Sequence, residues 1–132
     1  MAVQEKASNE QLEGRSMKPD ELCRRLKSNS APLIVDARKT VLFKESHIPG
    51  ALHAKVPWIL LGKVRFPEDK NTEMVITCEH GPRSWMARTL LSLRGYRNTS
   101  ILEGHMLGWK KAGLPLEMQD GTRTVPPGRA SG

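Results

Sequence analysis

The chain has 132 residues, 27% of them charged and only 5% aromatic, and its 21 Lys and Arg outweigh 14 Asp and Glu for a net charge of +7 and a pI of about 9.8. One domain of this length buries roughly two-thirds of its unfolded surface, a core that needs no metal or disulfide staple, so metal-scaffolded miniproteins and collagen-like chains are excluded. Cys23 and Cys78 make no Cys-x-x-Cys pair or disulfide framework, no run approaches the ~18 apolar residues of a membrane span, and residues 1–16 lack a signal-peptide apolar stretch; a reduced, cytoplasmic setting is the expectation.

Residues 1–15 are polar and aperiodic and read as a flexible N-terminal segment. Pro19 suits a first helical turn, and Leu22 and Leu26 share a face at i, i+4, which predicts a helix over 19–28. Leu33-Ile34-Val35 is a buried-strand run ending at Asp36, and Pro49-Gly50 demands a turn. Met74 to Thr77 is a second strand, ending at Cys78. After it, Met86, Leu90 and Leu93, with Ala87 and Leu91 beside them, form an apolar stripe of helical period closed by Gly95. Thr99 to Leu102 is a further strand, and residues 105–112 form a short helix ended by Gly113-Leu114-Pro115. Residues 118–132, rich in Gly, Pro, Ser and Thr, read as a flexible C-terminal tail. Strands alternating with helices over 16–117 predict one α/β domain built on a parallel sheet.

In open α/β sheets ligands bind beyond the carboxyl ends of the strands, which directs attention to Cys78-Glu79-His80-Gly81-Pro82-Arg83-Ser84. A tight loop entering a helix turns backbone N–H groups inward and adds the positive end of the helix dipole, a cradle for an anion. A cysteine at its centre has its thiol drawn below the free value of ~8.5, and the thiolate is the nucleophile. Gly81 permits strained backbone and Arg83 supplies a permanent cation. A strand-end cysteine is also at home as a small buried hydrophobe.

These residues carry a family resemblance. Residues 78–84 match the Cys-x-x-Gly-x-Arg-Ser loop of single-domain rhodaneses, which are sulfurtransferases. Asp36-Ala37-Arg38 followed by His47-Ile48-Pro49-Gly50-Ala51 is similar to a second family block, and residues 104–116, with Trp109 and Gly113-Leu114-Pro115, to the closing block. The resemblance implies about five parallel strands with helices on both faces. It also implies a ping-pong reaction: the Cys78 thiolate takes the sulfane sulfur of a small anionic donor such as thiosulfate, and the resulting persulfide passes it to cyanide, a thiol or a sulfur-carrier protein. No metal or organic cofactor is implied, and a persulfide carrier works as a monomer. Related folds host cysteine phosphatases and arsenate reductases, but phosphatases place five residues between Cys and Arg, whereas Arg83 follows Cys78 after four. The tighter loop favours a sulfur atom over a phosphoryl group. A non-catalytic interaction module is the second reading, ahead of the phosphatase or arsenate reductase, and is opposed by the presence of Cys78, Gly81, Arg83 and Ser84.

The chain departs from the pattern at Glu79, a carboxylate that opposes thiolate formation unless it points away, and at Leu42, where the family often has an acid before the aromatic that Phe43 matches. Pro82 removes one N–H from the cradle. His80 is expected at the rim as a substrate contact; Arg83 is a substrate anchor or a first-turn surface residue, and Ser84 a donor to sulfur or a helix-start residue. Asp36, Arg38 and His47 are read as structural support, with Arg38 pairing with Glu45 or facing the pocket. Trp85 is placed at the pocket mouth, while Trp58, Trp109 and Cys23 are packing residues. His53 and His105 have no partner at metal-ligand spacing, so no metal site is expected. Between residues 78 and 111, Arg83, Arg88, Arg94, Arg97, Lys110 and Lys111 stand against Glu79 and Glu103. With no basic stripe interleaved with aromatics, the charge reads as a field for small anionic donors or an acidic carrier protein rather than for nucleic acid or membrane.

Overall fold

The computed structural model describes residues 15–79 and 81–118, and the backbone of 123–124. In chain order the elements are β1 (Ser16–Met17), α1 (Pro19–Lys27), β2 (Leu33–Asp36), α2 (Thr40–Glu45), β3 (Leu52–His53), α3 (Val56–Leu60), β4 (Met74–Thr77), α4 (Pro82–Leu93), β5 (Thr99–Leu102), α5 (His105–Lys111), β6 (Leu116–Glu117) and β7 (Arg123–Thr124). Pro19 opens α1, whose first turn carries Asp20 and Glu21 and whose last carries Arg24, Arg25 and Lys27, the charge order that complements a helix dipole.

β1 to β5 form one sheet in the order β1-β5-β4-β2-β3, parallel at every pairing, with β4 in the middle. In-register pairs such as Ile34↔Val75 and Val35↔Ile76 send alternate side chains to opposite faces. On one face Ile34, Val75 and Leu102 pack with Leu22 of α1 and with Met106 and Trp109 of α5. On the other, Val35, Met74 and Ile76 pack with Ile59 of α3 and with Ala87 and Leu91 of α4. Helices thus cover both faces of the five-stranded parallel sheet. Among the described residues no helix is long and apolar enough to cross a membrane.

Two expectations change. The face of α4 that meets the sheet carries Ser84, Ala87, Arg88 and Leu91, all buried, while Met86 is 50% and Leu93 79% exposed. Of the expected stripe, Leu90 is partly buried and packs with Ala87 and Leu91 against the cluster on that face, while Met86 and Leu93 stay at the surface. Within the stretch 118–132, Arg123–Thr124 pairs antiparallel with Leu116–Glu117, so this part of the C-terminal segment is extended against the domain. Residues 1–14, 119–122 and 125–132 lie outside the described residues, as does His80.

Candidate active site

β2, β4 and β5 are sheet neighbours, and their carboxyl ends deliver Asp36, Cys78 and the segment Glu103-Gly104-His105 to the same edge. Cys78 follows the last residue of β4, and the chain then turns through Gly81 at φ +135°, a conformation open to glycine but strained for any other residue. Pro82 begins α4 as its first helical residue, where a missing N–H costs nothing, so the proline takes no donor from the loop that the helix would have used. The turn aims the Gly81 N–H at Cys78 Sγ, 2.8 Å away. Cys78 is only 1% exposed, and burial pushes its thiol up. Hydrogen bonds from His105, from the Ser84 side chain and amide, and from the Gly81 amide outweigh that and bring it down to about 6. At neutral pH the sulfur is a thiolate.

His105 is the member of this set that sequence reasoning did not assign. It follows Gly104 (φ +78°) and itself stands at φ +53°, and the next amide, Met106 N–H, donates to the Cys78 carbonyl at 3.0 Å. The ring is thereby held beside the sulfur, with Nδ1 3.4 Å from Ser84 Oγ. A Cβ on Gly81 would stand 3.3 Å from His105 Nε2, a tight contact that would press the ring back by a few tenths of an ångström, while the φ itself is what favours glycine there. The strand-end argument that singled out Cys78 after β4 applies equally to the residue after β5, and it would have found His105.

Behind the loop, Arg38 is fully buried and spends its donors on four acceptors. Nε reaches Asp36 Oδ1 at 3.0 Å, Nη2 reaches Asp36 Oδ2 at 2.9 Å and the Ser46 carbonyl at 2.6 Å, and Nη1 reaches Glu79 Oε1 at 3.3 Å. Its ionic partners are therefore Asp36 and Glu79, not Glu45, and the Glu79 carboxylate is engaged by a buried cation. His47 stacks on Phe43 at 3.9 Å and donates Nδ1–H to the Phe43 carbonyl. Phe43 stacks in turn on His53, whose Nε2 donates to the Arg38 carbonyl at 2.8 Å, with Trp58 edge-on to His53. His47 thus braces α2 and the Arg38 loop without reaching the sulfur. Trp109 is buried and donates to the Pro115 carbonyl; Cys23 is buried in the apolar cluster under α1.

Cys78 opens into a cavity of about 410 Å³ lined also by Lys39, Leu42, Glu79, Pro82 and Arg83. A second, of about 360 Å³, adjoins it across Lys39 and Arg83 and extends to Lys55, Val56 and Met86. Arg83 thus faces both, and no ion-pair partner competes for it or for Lys39 and Lys55 among the described residues. Trp85, half exposed with the Arg88 guanidinium 5.7 Å from its ring centre, lines neither. A larger open groove of about 870 Å³ beside Gly50, Arg65 and Phe66 brings no nucleophile together. Among the described residues no three His, Cys, Asp or Glu side chains cluster as metal ligands.

The sequence pattern of the rhodanese-like domain matches residues 18–112. A protein of Allochromatium vinosum named sulfurtransferase is 30% identical over 102 residues, covering 77% of this chain and 94% of that protein. A Haemophilus influenzae protein named thiosulfate sulfurtransferase GlpE is 32% identical over 87 residues, 64% of this chain and 79% of that one. Among solved structures, a rhodanese-like domain protein of Staphylococcus aureus superposes with a TM-score of 0.66 at 29% identity, covering 79% of this chain and 97% of its own. The rhodanese-like domain of the Anabaena protein Alr3790 gives 0.69 at 23% identity over 79% of each chain.

Proposed function

The chain belongs to the rhodanese-like domain family, and from that membership we propose that it is a sulfurtransferase that carries a sulfane sulfur as a persulfide on Cys78. The observation that supports this reading most directly is the hydrogen-bonded Cys78 sulfur at the base of a cavity rimmed by cations. A thiolate there attacks the outer sulfur of a donor such as thiosulfate, the bond to the leaving sulfite breaks with its electron pair, and the persulfide anion stays in the ring of Gly81 and Ser84 donors. These donors are fixed before the reaction and need no reorganisation as charge moves onto the outer sulfur.

Lys39, Lys55 and Arg83 supply the attraction for an anionic donor, and the Arg38–Glu79 pair removes the objection that a carboxylate beside the nucleophile repels it. The acceptor reading follows from the open mouth: cyanide, a small thiol and the thiol of a carrier protein all have access to a sulfur at the cavity base. The test is intact-mass measurement after incubation with thiosulfate, mercaptopyruvate or a small-molecule persulfide. One added sulfur atom is expected on the wild-type chain and on Cys23→Ser, and none on Cys78→Ser. A wild-type chain that gains no sulfur from any of these donors is a binding module, not a transferase.

A further inference from the structure

We propose that the preferred acceptor at this site is a thiol on an apolar arm that ends in an anionic group, with the thiol at Cys78 and the arm and its charge in the second cavity; the inference deepens the persulfide reading above and rests on it. The second cavity, of about 360 Å³, adjoins the one at Cys78 because Lys39 and Arg83 border both. Sites that enclose drug-sized ligands run to about 300–1,000 Å³, whereas thiosulfate or cyanide fills the 410 Å³ at Cys78 only in part. No cysteine, histidine or acidic side chain lines the second cavity, so it binds and does not react.

Its lining sorts into two chemistries. Val56 and Pro57 of α3 and Met86 of α4 supply an apolar wall suited to a methylene chain. Lys39, Lys55 and Arg83 supply three cations, and none of them has an ion-pair partner among the described residues. The remaining cation of the lining, Arg38, spends its donors on Asp36, the Ser46 carbonyl and Glu79. The Lys55 ammonium is held over the Trp58 ring, 4.5 Å from its centre, which steadies the charge. A small ion leaves the apolar wall wet, and a neutral chain leaves the cations unanswered. An anion at the end of an apolar chain satisfies both.

Binding at that distance from the reacting sulfur supplies energy that holds the thiol against the persulfide. The acceptor loses its thiol proton to solvent and its sulfur bonds to the outer sulfur on Cys78. The Sγ–S bond breaks with its electron pair on Sγ, and the acceptor departs as a persulfide anion. Charge and electron count balance with no oxidant or reductant.

In the experiment the wild type is loaded with an excess of a small-molecule persulfide and then freed of it. The loss of the extra sulfur mass is followed at limiting concentrations of four alkyl thiols of similar acidity: ω-mercaptohexanoate, ω-mercaptohexyl phosphate, ω-mercaptohexanol and ω-mercaptopropionate. The two long anions are expected to unload the sulfur about tenfold faster than the alcohol of equal length and than the short acid. The faster of the two tells a carboxylate from a phosphate as the end group. Rate ratios taken within one protein cancel any difference in how well a variant loads. Lys55→Glu and Met86→Glu, which bring a carboxylate to the second cavity from the start of α3 and from α4, are each expected to lower the ratio of that anion to the alcohol to about one, and Lys55→Arg to keep it. If neither long anion outruns the alcohol, or both only match the short acid, the proposal is overturned; so it is by a ratio that survives both Glu variants. A wild-type chain that never gains the extra sulfur overturns the persulfide reading and this inference together, and shows it before any acceptor is added.

Discussion

Cys23 and Cys78 are both almost wholly enclosed, at 6% and 1% exposure, and each sits in a cluster of apolar side chains. Around Cys23 stand Leu22, Ile34, Trp109 and their neighbours, a setting in which a thiol is one more small apolar group. Cys78 has comparable burial, but four hydrogen bonds converge on its sulfur and a cavity reaches it. Exposure therefore says nothing about which thiol reacts in this molecule; directed donors and an access route do. The largest expected effect breaks or upholds that contrast directly. With iodoacetamide at neutral pH, Cys78 is expected to alkylate on the order of 100-fold faster than Cys23, read by peptide mass spectrometry. Comparable labelling of the two would show that the donors do not activate the sulfur.

The contrast also extends to stability. Cys78 has its thiol lowered in the fold, so its ionisation stabilises the native state most above the unfolded thiol value, and that contribution is lost as pH falls toward about 6. Replacing Arg38 by Met acts on the same loop from behind. It leaves the Asp36 carboxylate buried without its counter-ion and frees Glu79 from its hold. A loss of about 3–5 kcal/mol is expected from urea unfolding. A loss under 1 kcal/mol would mean that the Arg38 network is ornamental to the fold.

How much of this was legible depends on how far apart in sequence the partners lie. β2 and β4 are visible as short, mostly apolar runs and β5 as a four-residue segment ending in Ile101-Leu102, all three almost wholly buried. β1 and β3 are two-residue strands at the sheet edges, and α2 and α3 have six and five residues, too few for any periodicity to show. α4 is visible as a helix, and Ala87, Leu90 and Leu91 of its apolar set meet the core, but Met86 and Leu93 stay exposed while Ser84 and Arg88 are buried, an offset that the apolar pattern alone does not reveal. The loop from Cys78 to Ser84 is contiguous and declares itself. Arg38 meets Glu79 from 41 positions away and His105 meets Ser84 from 21. Both meetings follow from the strand order, which no local pattern announces.

Ser84 sharpens the contrast between the two cysteines by a smaller amount. Ser84→Ala removes the hydroxyl but keeps the amide, and the alkylation midpoint of Cys78 is expected to rise from about 6 to roughly 7. A rise of one unit lowers the thiolate fraction at pH 6 about fivefold and at pH 8 hardly at all. A rate deficit that is the same at both pH values would assign Ser84 a part in the transfer step and none in ionisation.

The smallest effect concerns the charge with which the sequence stands out. Lys39 and Arg83 border both cavities and Lys55 the second, so three of the cations stand where an anion approaches Cys78. An exposed cation acts through a screened field with a reach of about 10 Å at 0.1 M salt. Lys39→Glu is therefore expected to slow sulfur loading from thiosulfate about two- to fivefold at low salt and to leave loading from an uncharged persulfide unchanged. Raising the salt should slow the wild type toward the variant, since both then lose the field. Salt-independent loading would detach the +7 from the reaction and leave the hydrogen bonds around Cys78 and the cavity that reaches it, neither of which salt screens, as its difference from Cys23.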